Sequence, residues 1–382
     1  MRLSLVIQSL NCGGAERVMS IMANYWAEKA WEITLITLDD GSTQPFFEID
    51  CRVRIIPLAL AGSSRTALDG LWKNLMRVFK LRRAILKTNP DAVISFMGRT
   101  NVITLLATRG TKVPVLVSDR SDPALSSPGR FWKGLSRCTY PRAEIVVVQT
   151  QVALGHFSRG VRSHALIIPN PVLPPSQPQK ELGFVLTKRL AASMGRLIHA
   201  KGFDLVLRAF ARISSRHPQW TLAIVGEGPL RTTLEDLCDE LRIRGRVLFT
   251  GLVKDPAEIL SRADLFVMSS RFEGFPNALC EAMSHGVAVI STDCPSGPRA
   301  IIRNNIDGIL IPNGDVGALA AAMDRLMGDE VERKRLGLIA TCVTERFRLD
   351  KVMAMWEAAL SRALHQQPAA LQHTDARIAR AR

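Results

Sequence analysis

The chain has 382 residues, 47% of them hydrophobic and 22% charged, with a formal net charge of +15. At roughly 100–200 residues per domain this length predicts two domains; the composition excludes a disordered chain, and no apolar run approaches the ~20 residues that span a bilayer. Seven scattered cysteines without a C-x-x-C pair, and seven histidines at no ligand spacing, point to a reduced, cytoplasmic protein without zinc, while the basic excess asks for an acidic partner such as nucleic acid, anionic lipid or a phosphorylated substrate.

RLSLVIQ (2–8) reads as a first strand and not as a signal peptide, because it runs straight into glycines and charges. GGAERVMSIMANYWAEKA follows as a helix, with apolar residues at 18, 21, 22, 25 and 26. Strands are predicted at 32–41 and 51–58, a helix over 68–87, a strand at 91–97, a helix after Arg99, and strands at 113–119 and 143–150. IPNPVLPPSQP (168–178) carries five prolines in eleven positions, which rules out a helix interior or a central strand and predicts a stiff linker. The alternation then restarts, with strands at 189–197, 221–228, 246–253, 263–270, 287–293 and 308–312 and helices between them. Buried strands alternating with helices predict parallel sheets in α/β layers. The divisions are a first domain over 1–170, a linker over 171–185, a second domain over 186–349, a helix over 350–365 and a basic tail over 366–382.

In open α/β sheets a ligand lies beyond the carboxyl ends of the strands, so the loops there carry the information. RFEGFPNALCEAMSHG (271–286) follows a strand and places Glu273 just before a helix start and Glu281 within the helix. Pro276 suits the first helical turn and Gly286 the position after its end. Side chains lean toward a helix N-terminus, so Glu281 points back toward the loop of Glu273. Two carboxylates that accept from hydroxyls, beside N–H groups that favour an anion, suit a nucleotide sugar. The plainer reading is an amphipathic helix with two solvated glutamates. In MGRLIHAKGFD (194–204), Arg196 and Lys201 flank a second loop and can hold a diphosphate. VGEGPLR and FTGLVKD are further strand-end turns, whose glycines let backbone approach a base or ribose or simply make turns.

In this order the segments G-R-x4-K-G, E-G-F-P-N-x3-E, VGEGP and FTG resemble the retaining glycosyltransferases of family 4. That resemblance covers nearly the whole chain and implies the GT-B fold, α/β with two Rossmann-like domains facing across a cleft. It implies that Arg196 and Lys201 bind the donor diphosphate and stabilise the leaving group, with Glu273 near the donor sugar as the third member of the catalytic set. Glu281 would bind the ribose, Val253 would face the base, and backbone around Phe275, Pro276, Asn277, Ala278 and Leu279 would hold sugar and phosphate. Gly13 and Gly14 of GGAERV, with Gly226, complete the donor side. Asp119 or Arg120 stands where many members have a histidine and, with Arg99, marks the acceptor region. Ala300 replaces the usual glutamate of SGPRE, and Lys29-Ala30 replaces a helix-ending glycine.

The resemblance further implies front-face transfer with retention, without a resident cofactor. No D-x-D occurs, so no metal is expected. ISFMGRTN, VSDRSDP and SGPR resemble bacterial members that build O-antigen, capsule or exopolysaccharide, which implies a lipid-diphosphate-linked saccharide acceptor. The basic amphipathic segment LWKNLMRVFKLRRAILK either lies on an anionic membrane surface, at the inner face of the cytoplasmic membrane, or packs with a solvated basic face. The donor is expected to be a UDP-sugar, with GDP-mannose and a hydrolysing epimerase of the same fold as alternatives. A nicotinamide enzyme lacks its G-x-G-x-x-G at NCGGAER, and no motif supports nucleic-acid binding.

Overall fold

The structure is a computed structural model that describes residues 1–60, 67–120, 129–176 and 189–365. The predicted linker positions 177–185 and the tail 366–382 lie outside the described residues. Thirteen strands form two sheets among those described. The first sheet holds β1 (Arg2–Ile7), β2 (Glu32–Thr37), β3 (Arg54–Pro57), β4 (Ala92–Phe96), β5 (Val115–Ser118), β6 (Ile145–Val148) and β7 (Ala165–Ile167), in the order β3-β2-β1-β4-β5-β6-β7. The second holds β8 (Arg189–Met194), β9 (Trp220–Val225), β10 (Val247–Gly251), β11 (Leu265–Met268), β12 (Ala288–Asp293) and β13 (Ile309–Pro312), in the order β10-β9-β8-β11-β12-β13. Every pairing is parallel. Strands such as AVISF and IVVV are buried at every position, as strands covered on both faces must be. These are the two Rossmann-like domains expected of the GT-B arrangement.

On one face of the first sheet, the helix Gly14–Glu28 buries Val18, Met19, Met22 and Trp26. The helix Leu349–His365 returns from the second domain to the same core, burying Met353, Trp356 and Leu360 there. Its Trp356 ring lies 6.1 Å from that of Phe96. Burying a large apolar side chain contributes roughly 1.5–3 kcal/mol, so this crossing helix ties the domains together firmly. Lys29-Ala30 has a use here. Ala30 takes the left-handed conformation, φ 59°, and Lys29 Nζ reaches Glu357 Oε1 of the crossing helix at 2.7 Å.

The proline-rich stretch packs along its described part. Ile168, Asn170 and Val172 are buried, and Val172 N–H donates to Phe347 O at 2.8 Å. The three-residue strand β7 had no periodic signal, and neither did the short helices Gln151–Gly155 and Arg159–Arg162.

Candidate active site

The carboxyl ends of both sheets face one cleft, and glycines bring its loops together. At Gly202 (φ 63°) a side chain would collide with Ser269 O, so the turn His199–Lys201 sits directly on the end of β11. This closeness lets Lys201 Nζ reach Glu273 Oε1 at 2.6 Å, where Ser270 Oγ also donates at 2.6 Å. Arg271 fastens the same loop by two bonds to Asp204, at 2.8 and 2.7 Å. Gly226 has another task than the one expected of it. Its φ is 136°, and the space beside it is filled by Gly195 O, while a Cβ on Gly228 would lie 2.5 Å from Leu197 O. The VGEGP turn therefore seats the loop that carries Arg196, and its close approach in this structure is to that loop.

The helix Asn277–Ser284 begins after an extended Pro276 and ends before Gly286, φ 72°. Phe275 packs edge-on against Phe347 with ring centroids 5.3 Å apart, Leu279 is buried, and Ala278 packs on the same cluster. These three can offer a ligand only backbone, and the first N–H groups of a helix have no partner within it. Asn277 and Glu281 offer side chains. Asn277 Nδ2 donates to Gly14 O at 3.1 Å, across the domains. Glu281 Oε1 pairs with Arg17 Nη1 at 2.7 Å, again across the domains. Burial pushes the Glu281 carboxyl up, while Arg17 and His285 oppose that.

The two glutamates are thus brought to neighbouring but separate settings. Glu281, Arg17, Asn277 and Asp255 line one pocket of the cleft, whereas Glu273 is held by Lys201. Val253 packs partly on the second core, and the pocket lining begins two residues later at Asp255. Arg196 lies close enough to Glu16 to favour its ionised form, although burial is the larger effect and raises that carboxyl. Gly13 is extended (φ −170°), and the place a side chain there would take is filled by the Glu16 carboxylate.

On the first domain the three acceptor-region residues have different surroundings, and the Asp119 carboxylate lies beside Gly98. Asp119 Oδ2 accepts from Tyr140 OH at 3.0 Å, and burial raises its pKa to about 6. Arg120 turns into the seam between the domains. Its guanidinium lies 3.8 Å from the Phe96 ring centroid and donates to Asn170 Oδ1. Desolvation lowers its pKa to about 9, and its Nε and Nη2 are buried without a hydrogen-bond partner among the described residues. The sequence reading placed Arg120 in the acceptor region; its side chain is drawn inward by stacking on Phe96. Arg99 is exposed, with its guanidinium 5.8 Å from the Trp132 ring.

Four residues of the seam were not singled out from sequence: Glu16, Arg17, Gln149 and Asn170. Asn170 Oδ1 accepts from Gln149 Nε2 at 2.6 Å, and Asn170 Nδ2 donates to Asn277 Oδ1 at 2.6 Å. Lying between two prolines, Asn170 gives no pattern to read. Glu16 and Arg17 stand in the glycine motif itself, but their partners come from the other domain.

A two-domain α/β protein with basic loops and a paired-glutamate helix on its cleft is defined as a class by these features, and comparison with known proteins agrees. Residues 13–171 match the family model described as a glycosyl transferase 4-like domain, and residues 177–341 match that of glycosyl transferases group 1. The chain belongs to the family-4-type glycosyltransferases. Among its relatives is a Campylobacter jejuni alpha-1,4-N-acetyl-D-galactosaminyltransferase named for an undecaprenol-diphosphate-linked saccharide, 28% identical over 93% of this chain and 97% of that protein. The amylovoran biosynthesis glycosyltransferase AmsD of Erwinia amylovora is 24% identical over 92% of this chain and 97% of its own. The fold matches sucrose-phosphate synthase of Thermosynechococcus elongatus, with a TM-score of 0.81 at 19% identity over 95% and 99% of the two chains. It also matches Anabaena HepE in complex with UDP, with a TM-score of 0.77 at 17% identity over 94% and 100%. Among the described residues no group of metal-ligating side chains is gathered, and no helix is long and apolar enough to cross a membrane.

Proposed function

We propose that the chain transfers a sugar from a nucleoside-diphosphate donor, a UDP-sugar first, to a lipid-diphosphate-linked saccharide in surface-polysaccharide synthesis, with retention at the anomeric carbon. The observation that carries this reading is the convergence of Arg196, Lys201 and the helix Asn277–Ser284 with its Glu281 on one cleft. The name of the C. jejuni relative supports the acceptor class, that of the E. amylovora relative supports polysaccharide synthesis, and the UDP of HepE supports the base.

In this reading Arg196 and Lys201 hold the diphosphate, a rigid fork beside a mobile point charge. The Glu281 carboxylate accepts from the ribose hydroxyls, and Glu273, oriented by Lys201 and Ser270, faces the donor sugar. The anomeric carbon–oxygen bond to the diphosphate breaks while the acceptor oxygen bonds to the same face. The acceptor proton passes to the leaving diphosphate oxygen. The two cations stabilise the charge that develops there, so transfer is expected to persist in EDTA.

The acceptor's lipid also fits the surface. Trp72, Leu75 and Phe79 are 65%, 56% and 61% exposed, and their spacing of three and four places them on one face of the helix Ala67–Thr88. Lys80, Arg83 and Lys87 stand exposed near that face, and Phe131 of the helix Arg130–Thr139 is 62% exposed. Both helices follow strands of the first sheet, so their amino ends lie toward the cleft rim. Apolar and cationic groups together suit an anionic membrane surface, met from the cytoplasmic side.

The test is transfer of labelled sugar from a panel of UDP- and GDP-sugars to lipid-linked saccharides. Acceptor-dependent product that is lost in Glu281→Ala supports the reading. Donor consumption without any acceptor would mark a hydrolase or epimerase instead.

A further inference from the structure

One helical turn of the first domain supplies partners to the donor side of the second. Gly14 O accepts from Asn277 Nδ2 at 3.1 Å. The Arg17 guanidinium takes the Glu281 carboxylate at 2.7 Å, with both side chains mostly withdrawn from water. The Glu16 carboxylate folds back over Gly13 at the helix N-terminus, where its charge interacts with Arg196. An anion beside Arg196, a donor to Glu281 and an acceptor for Asn277 are the groups that a nucleoside diphosphate presents through its phosphates and ribose.

We propose that the turn Gly14–Arg17 is a built-in stand-in for the donor, which a nucleotide must displace, so that Glu16 and Arg17 set donor affinity. The proposal rests on the reading of the cleft as a donor site. Glu16 occupies the place of a phosphate: a carboxylate folded over Gly13 at a helix N-terminus, within the field of Arg196, is held by the same forces as a bound anion. Arg17 occupies the place of the ribose hydroxyls. Once displaced it has somewhere to rest, because its guanidinium already lies 5.9 Å from the Phe47 ring. Displacing Arg17 also leaves Glu281 in the pocket it shares with Asp255, where burial first and Asp255 after it disfavour an unpaired carboxylate, so hydroxyls that donate to Glu281 are favoured over an empty pair of carboxylates.

The consequence is quantitative. When the competent form is only fractionally populated, apparent affinity falls by that fraction. Removing a stand-in group therefore strengthens binding, a gain that mere structural damage does not produce. Calorimetric titration of the wild type, Arg17→Ala, Arg17→Lys and Glu16→Gln with UDP, uridine and GDP is the test. A half-buried ion pair predicts tightening of about three- to tenfold. Arg17→Ala should bind both UDP and uridine more tightly, and Arg17→Lys should stay near the wild type. Glu16→Gln should gain for UDP but not for uridine, because only the diphosphate competes with the carboxylate.

Wild type that binds UDP or GDP, with Arg17→Ala and Glu16→Gln equal or weaker, overturns the stand-in and leaves the donor reading intact. If no variant and no wild type binds any of the three, both readings fall together. Binding by the variants but not by the wild type would be the stand-in in its strongest form. Should Arg17→Ala lose the folded transition on melting, Glu16→Gln carries the test alone.

Discussion

Arg196 and Lys201 differ in their partners: Lys201 is locked to Glu273 at 2.6 Å, while Arg196 forms no such ion pair among the described residues and only its charge is felt by Glu16 of the other domain. Removing one cation from a developing negative charge costs about 10²–10³ in rate. Lys201→Ala should therefore lower kcat by that order and also leave Glu273 without its cation. Measured with saturating donor, an unchanged kcat would remove Lys201 from the chemistry. Asp119 makes a prediction about pH. Its carboxyl rises from 3.8 to about 6 in the fold, so the folded chain holds that proton more firmly than the unfolded one. The stability this contributes is full below 3.8 and lost as pH rises through about 6. Asp119→Asn should abolish that loss, worth on the order of 2 kcal/mol, in urea midpoints compared between pH 4 and pH 7. The charged residues of the cleft were legible because each follows a strand end at a glycine. Arg17 stood in the same kind of loop, yet its partner Glu281 lies 264 positions away by subtraction of the two numbers and in the other domain, and no local pattern reports such a pair.

Elements were legible where their periodicity was strong. The first helix, the paired-glutamate helix and the strands near the sheet centres all appear where apolar spacing placed them. The helix Ala67–Thr88 shows the limit of that argument. Its spacing is the same whether an apolar stripe is packed or open, and the structure buries Leu81 and Ile85 while leaving Trp72, Leu75 and Phe79 outside. Tertiary neighbours decide this. Gly274 shows a second limit. It resembles a loop glycine, but a Cβ there would lie 2.7 Å from Arg120 O and 3.1 Å from Gln149 Oε1 of the first domain. Gly274→Ala is therefore expected to push the domains apart. Sugar transfer should drop severely while circular dichroism keeps its α/β signature, and unaltered transfer would show that the seam can open without loss.

At the scale of the molecule, two sheets joined by the packed proline-rich strap and a returning helix place the loops that leave the strand carboxyl ends on one cleft. The strap gives Asn170, the returning helix gives Trp356, and Arg120 lies between them, with its guanidinium 5.8 Å from the Trp356 ring. The exposed stripe of the helix Ala67–Thr88 predicts behaviour of the whole protein on vesicles. Wild type should float with vesicles rich in phosphatidylglycerol and less with neutral ones, and high salt should weaken this. The double variant Trp72→Ser, Phe79→Ser should lose most of the flotation while retaining its melting temperature. Equal flotation of both would assign the stripe to another partner.

A donor lying across the helix Asn277–Ser284 would stabilise the folded chain, and melting with nucleotides tests that most directly. A ligand at about one hundred times its Kd adds about 2.7 kcal/mol, which raises Tm by several degrees. UDP or GDP should raise Tm of the wild type, NAD should not, and Glu281→Ala should abolish the rise. A rise with neither nucleotide, or an equal rise in Glu281→Ala, would contradict that placement of the donor.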